Sequence, residues 1–279
     1  MYILEIVKAI VLGIVEGITE WLPISSTGHM ILVDEFLKLK VSPEFMEMLL
    51  VVIQLGAICA VPILYWERLW PLSKKKTPEA NKAIWNVWGK VIVGAIPAAI
   101  FGVLLDDILD KYLYNYIVVA VALIAYGVAF IFVEKFKAEK EFCINSIDEM
   151  TYKDALKIGA YQCLSLIPGT SRSGSTILGG MLSGVSRQAS AEFSFFMAIP
   201  IMLGASALKI LKFLLEGFKA NIGEIGLLFV GIIVSFVVSY YAIKFLIDFV
   251  KRHDFKIFGY YRIGLGALVL IYFIIKSLV

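Results

Sequence analysis

Residues 16–29 read EGITEWLPISSTGH and residues 165–175 read SLIPGTSRSGS, and both lie inside stretches that are otherwise apolar. Carboxylates, hydroxyls, glycines, prolines and an arginine at that density do not make a plain lipid-facing helix. Broken backbone at membrane depth is tolerated only where protein or a watery cavity satisfies its freed polar groups. The rest of the chain settles the medium. Of 279 residues, 60% are hydrophobic and only 18% charged, with a mean hydropathy of +0.85, whereas a soluble domain carries roughly a quarter charged residues. The chain reads as a multi-pass membrane protein, not a soluble one. No short apolar run ends in a small-residue cleavage site, so no secretory leader is expected.

A spanning helix needs about 20 apolar residues. Such runs lie near 45–65, 91–105, 116–133, 193–215, 225–247 and 257–277. The two interrupted segments, about 5–33 and 155–184, are expected to be re-entrant helix pairs folded into the protein's centre. The fold class is therefore an all-α polytopic membrane protein with six transmembrane helices plus two re-entrant pairs, one membrane domain over 1–279.

The two broken segments resemble each other. Leu22-Pro23 precedes Ser25-Ser26-Thr27-Gly28-His29, and Ile167-Pro168 precedes Ser171-Arg172-Ser173-Gly174-Ser175. Downstream, Glu44-Phe45 stands nine residues before Leu55-Gly56-Ala57, as Glu192-Phe193 does before Leu203-Gly204-Ala205. The chain is expected to hold two repeats, about 1–140 and 141–279, each with one re-entrant pair and three spans. Three is odd, so the second repeat must run upside down relative to the first, which brings the two polar loops together near the midplane.

Loop charge gives the orientation. Arg68, Lys74, Lys75, Lys76, Lys82 and Lys90 lie in 67–90, Lys135, Lys137, Lys140, Lys153 and Lys157 in 135–157, and Lys251, Arg252 and Lys256 in 251–256. The alternate loops hold only Lys111 among Asp107 and Asp110, and Lys219 among Glu216 and Glu224. The positive-inside rule makes the first set cytoplasmic and puts both termini outside. A net charge of +3 with scattered basic residues gives no footprint for a nucleic acid. Cys59, Cys143 and Cys163 have no CxxC spacing and read as small packing residues rather than disulfides or metal ligands.

The broken segments carry the chemistry. Glu16 and Glu20 are four apart and share a helix face. An acidic residue at a helix centre in lipid costs about 2.5–3.5 kcal/mol on insertion scales, so two of them point to a function. The pair could hold a divalent cation, Mg²⁺ or Ca²⁺, or act as a general base. Ser25, Ser26 and Thr27 offer hydroxyls to phosphate oxygens, and His29 can exchange a proton near neutral pH or act as a nucleophile. In the second loop Arg172 has a planar fork that grips phosphate. Gly169, Thr170, Ser171, Ser173 and Gly174 around it add hydroxyls and an amide nest. Together these suit a metal-bridged phosphate or pyrophosphate. Arg187 reads instead as an arginine reaching a lipid headgroup, and His253 as a solvated loop histidine.

EGITEWLPISSTGH, SLIPGTSRSGSTI, EFSFFMAIP and the terminal YYRIGLG resemble the bacterial undecaprenyl-diphosphatase family, the bacitracin-resistance type of integral membrane phosphatase. The resemblance implies loss of the terminal phosphate from undecaprenyl diphosphate, regenerating the monophosphate carrier of cell-wall synthesis. By position it implicates Glu16, Glu20, Ser26, His29 and Arg172, with Ser25, Thr27, Ser171 and Ser173 as supporting phosphate ligands. The nucleophile stays open among His29, Ser26 and a water activated by Glu20. The partners expected are a polyprenyl diphosphate lipid and the membrane lipids, with no nucleic acid, and a homodimer is left open. A phosphatidic-acid-type phosphatase is excluded, because no histidine follows Ser171-Arg172 at the spacing that class requires. The alternative from another class is a secondary transporter or lipid flippase, which inverted repeats with a midplane site also describe.

The orientation is testable. With the native cysteines removed, Lys75→Cys and Asp254→Cys should be protected from an impermeant thiol reagent in intact cells, and Asp110→Cys should be labelled. The opposite pattern would reverse the topology.

Overall fold

The computed structural model describes residues 2–73, 75–113, 115–137 and 142–278. Lys74 and Lys140, counted among the loop charges, lie outside the described residues, as do the side chains of Asp107, Asp110 and Lys111. The described chain is helical. In order the helices are α1 (Tyr2–Thr19), α2 (Ser26–Leu37), α3 (Pro43–Val52), α4 (Gln54–Leu64), α5 (Trp66–Leu69), α6 (Pro78–Leu113) and α7 (Tyr116–Lys137). There follow α8 (Tyr152–Gln162), a 3₁₀ turn (Cys163–Leu166), α9 (Arg172–Leu182), α10 (Arg187–Leu215), α11 (Ile222–Val250) and α12 (Lys256–Leu278). No strand occurs among the described residues, only an isolated bridge between Ile144 and Val185.

Six segments are long and apolar enough to cross a membrane: Pro43–Leu64, Pro78–Leu105, Tyr116–Lys137, Arg187–Leu215, Ile222–Val250 and Lys256–Leu278. They match the six apolar runs, with ends that differ for local reasons. Helix α6 starts at Pro78, well before its apolar core, because a polar first stretch can be helical outside lipid. There Lys90, 2% exposed, donates to the carbonyls of Ile147 and Asp148 at 3.0 Å each. Capping is read directly from the sequence. Thr151 with Asp154 and Asn221 with Glu224 form capping boxes that start α8 and α11, and Ser186 accepts from the Ala189 amide to start α10.

Both interrupted segments are helix–break–helix, with the breaks between α1 and α2 and between the 3₁₀ turn and α9. Helix α1 packs on α11, α8 on α6, α7 on α12, and the α3–α4 span on α10. These pairings map onto one another when residues 1–140 and 141–279 are exchanged. The contacts are close. A Cβ on Gly159 of α8 would lie 2.2 Å from the Gly94 carbonyl oxygen of α6, and one on Gly56 of α4 would lie 2.0 Å from that of Ile232 in α11. Packing of this kind replaces the hydrophobic drive that lipid does not supply.

Two sequence expectations change. Arg187 does not run to lipid: its Nε donates to both oxygens of Glu134 at 2.9 and 3.0 Å. Glu134 also accepts from the Phe255 amide at 2.9 Å, so the pair ties α7, α10 and the start of α12 together. The cysteines are free as expected, but Cys59 and Cys143 are exposed rather than packed, because each occupies a helix or loop face turned away from the core. His253 is exposed, with its ring stacked on Phe249.

Candidate active site

The breaks are built alike. At the first, Pro23 has no amide to continue α1, and Ser25 turns the chain with φ +72° while its Oγ accepts from the Gly28 amide at 3.3 Å. At the second, after Pro168, Gly169 takes φ +96°, and a Cβ there would lie 2.5 Å from the Val119 carbonyl oxygen. The Thr170 hydroxyl lies 2.9 and 2.8 Å from the carbonyls of Leu164 and Ile167, to which it donates. Ser171 then takes φ +73°, and its Oγ accepts from the Gly174 amide at 3.1 Å. Among the described residues Ser25 and Ser171 are the two non-glycine positions with positive φ. Such positions cost of order 1–3 kcal/mol and cluster at functional sites. Each caps the helix that follows, so two helix N-termini, favourable to anions, open at the breaks.

The functional side chains meet across these breaks. Arg172 Nη2 donates to Glu20 Oε1 at 2.9 Å, and its Nη1 donates to the Ser194 carbonyl and hydroxyl at 2.8 and 3.1 Å. The other Glu20 oxygen accepts from Ser26 Oγ at 3.0 Å. Ser173 Oγ lies 3.1 Å from the Glu20 carbonyl and 3.1 Å from Ser171 Oγ, and Thr176 donates to Ser194 Oγ at 2.7 Å. The Trp21 ring lies 5.6 Å beneath the Arg172 guanidinium. Glu16 is 1% exposed, and its Oε1 is buried without a hydrogen-bond partner, as is Arg172 Nε. The sequence sets carboxylates opposite arginine, and in the structure Glu20 and Arg172 touch.

His29 stands apart from that cluster. Its Nδ1 is 2.8 Å from the Ser25 carbonyl, which can only accept, so Nδ1 carries the proton. Nε2 is 2.7 Å from the Tyr261 hydroxyl, so neither ring nitrogen serves Ser26. The hydroxyl of Ser26 faces a carboxylate, not an imidazole. Thr27 is half-buried in the first turn of α2 and takes no part in these contacts.

Of the residues singled out from sequence, Glu20, Ser26, Arg172, Ser171 and Ser173 thus join in one network, with Glu16 buried in the preceding turn. Ser25, Gly169, Thr170 and Gly174 shape the breaks. Sequence reasoning missed Ser194, Trp21, Tyr261, Tyr126 and Arg262. For Arg262 a signal existed, since a charge inside an apolar span is by default functional.

Oxygen acceptors, a held hydroxyl and a guanidinium meet at two helix N-termini inside a polytopic helical membrane protein, an arrangement able to bind an anion and to move a proton. The chain belongs to the family described as bacitracin resistance protein BacA, whose model matches residues 9–268, a range that holds both breaks. It is 52% identical over 279 residues to an undecaprenyl-diphosphatase of Streptococcus gordonii, covering 100% of this chain and 99% of that protein. It is 56% identical over 271 residues to one from Acetivibrio thermocellus, covering 97% and 98%, and 55% identical over 267 residues to one from Enterococcus faecalis, covering 96% and 97%.

The strained serines give a stability test. Ser171→Ala keeps the positive φ and loses the cap, whereas Ser171→Gly loses the cap and relieves the strain. Thermal unfolding in detergent should rank wild type and Gly above Ala, with Ala below Gly by about 1 kcal/mol. Equal midpoints for Ala and Gly would show that no strain is held at Ser171.

Proposed function

We propose that this protein hydrolyses undecaprenyl diphosphate to undecaprenyl phosphate and inorganic phosphate, recycling the lipid carrier of cell-wall synthesis and so conferring bacitracin resistance. The observation that carries the reading is the Ser26–Glu20–Arg172 chain of contacts, 3.0 and 2.9 Å long, formed across two helix breaks in a chain whose relatives are named for that reaction. A hydroxyl held on a carboxylate is what an acid–base step needs.

In this reading the polyprenyl tail lies among the apolar spans and the diphosphate enters between the breaks. Arg172, the hydroxyls of Ser171 and Ser173 and the opening turns of α2 and α9 hold phosphate oxygens. Glu20 takes the Ser26 proton as Ser26 Oγ bonds to the terminal phosphorus and the anhydride P–O bond breaks, releasing undecaprenyl phosphate. Water then attacks the phosphoserine, Glu20 returns its proton to Ser26 Oγ as the Oγ–P bond breaks, and inorganic phosphate leaves carrying the water's hydrogens. His29, held by Ser25 and Tyr261, orders the first turn of α2.

The oxygen donors fit a divalent cation, Mg²⁺ or Ca²⁺. Among the described residues no cluster of three metal-ligating side chains occurs, but Glu16 has a buried oxygen without a partner one helical turn before Glu20. Glu16 and Glu20 would hold the ion, which neutralises charge on the transferred phosphoryl group. The pseudo-exchange of the packing pairs and the loop charges support an inverted repeat, re-entrant pairs entering from opposite faces, and both termini outside.

The reaction is tested by phosphate release from a short-chain prenyl diphosphate by purified protein in detergent, where transport cannot be expressed. Chelators should abolish it and Mg²⁺ or Ca²⁺ restore it. Glu16→Gln should raise the cation concentration needed for half-maximal rate, and Glu20→Gln, which also removes the base, should abolish the rate. A requirement unchanged in Glu16→Gln would remove Glu16 as a ligand.

The guanidinium is tested separately. Arg172→Lys keeps the charge but cannot reach Glu20 and Ser194 together, so kcat/KM should fall at least tenfold, about 1.4 kcal/mol of transition-state binding. Near wild-type turnover would refute the forked role.

A further inference from the structure

Arg262 lies in the second turn of α12, 0% exposed. Among the described residues it forms no ion pair; its guanidinium is held by carbonyls instead. Nη1 donates to the Pro23 carbonyl at 3.1 Å, and Nη2 donates to those of Gly169 and Thr170 at 2.8 and 2.9 Å. The Tyr126 ring of α7 faces it at 5.4 Å. A Cβ on Gly174 would come within 3.4 Å of Nη1, so the glycine leaves the guanidinium its room.

The three acceptors are not arbitrary carbonyls. Pro23 stands two residues before Ser25, and Gly169 two residues before Ser171, the two strained serines that cap α2 and α9. A helix break frees carbonyls at such positions, and in an apolar interior each needs a donor. One planar fork supplies donors to both breaks at matched places and so fixes their separation. That separation carries Ser26 and Glu20 on one side and Arg172 on the other, which must meet within hydrogen-bond distance. Misplacement of such groups by about 1 Å costs of order 10²-fold in rate. Lysine, a point donor, cannot span both breaks.

We propose that Arg262 is the positioning residue that sets the two breaks in register, acting on the reaction through Ser26, Glu20 and Arg172 rather than by touching substrate. The inference rests on the hydrolase reading for its kinetic arm only. A second arm needs no substrate.

The experiment compares the full-length wild type with Arg262→Lys and Arg262→Gln in detergent, by phosphate release and by amide hydrogen exchange followed by mass spectrometry. In both variants exchange should quicken in peptides covering 20–28 and 167–174 while α11 keeps its wild-type rates. For Arg262→Lys, kcat should fall at least tenfold with KM within threefold, and Arg262→Gln should fall further. Exchange unchanged at the breaks, exchange quickened evenly along the chain, or a kcat within threefold of wild type in Arg262→Lys would overturn the proposal. Should neither variant be recovered folded, Tyr126→Leu removes the ring beneath the guanidinium, and Tyr126→Phe serves as its control. Leu alone should show the break-confined exchange and a smaller fall in kcat; identical behaviour of the two overturns the proposal. A wild type that releases no phosphate would defeat the hydrolase reading and leave the exchange arm standing.

Discussion

Everything at the centre of this protein follows from the need to satisfy broken backbone where no bulk water reaches. A helix satisfies its own amides and carbonyls; a break frees several of each, and in an apolar interior each unpaired group costs several kcal/mol. The chain meets that need at each break with its own side chains. Ser25 and Ser171 accept from the amides of Gly28 and Gly174, Thr170 donates to the carbonyls of Leu164 and Ile167, and Arg262 takes three more carbonyls. The residues that permit the breaks flank the ones that meet at the Glu20–Arg172 contact, and Ser171, bonded to Ser173, belongs to both. Structural need and site geometry therefore draw on neighbouring residues.

Charge balance sets the second condition. Glu16, Glu20, Arg172 and Arg262 are all buried or nearly so, two carboxyl groups against two guanidinium groups. A buried ion pair is poor evidence of stabilisation, because desolvation opposes the attraction. Here the pair fits the proposed handling of a charged phosphate. Glu20 is held from both sides, by Arg172 and by Ser26, while Glu16 keeps one oxygen without a partner. The two carboxylates, identical in chemistry, are thereby placed for different work.

How much of this was legible in the sequence depended on range. The breaks were visible because proline, serine and glycine interrupt apolar runs, and local rules decide where helices stop. Glu16 and Glu20 were visible because helical spacing is a local property. Ser194 was not, because its contact with Arg172 joins residues 22 apart through the packing of α9 on α10. Tyr261 and Arg262 reach back 232 and 239 residues to the first break, and no periodicity carries that information. The pairing of Arg187 with Glu134 was misjudged for the same reason: the partner is on another span, and an arginine near a helix start reads alone as a headgroup ligand.

The geometry of His29 shows why proximity in sequence is a weak guide to a catalytic pair. Ser26 and His29 lie three apart in one helix turn, a spacing that permits contact. Yet Ser25, in left-handed backbone, turns its carbonyl to His29 Nδ1 at 2.8 Å, and Tyr261 takes Nε2 at 2.7 Å. With both nitrogens engaged, the imidazole is oriented away from the hydroxyl, and Ser26 turns to Glu20 instead. The same positive φ that caps α2 thus also turns Ser26 toward Glu20, the base of the proposed reaction.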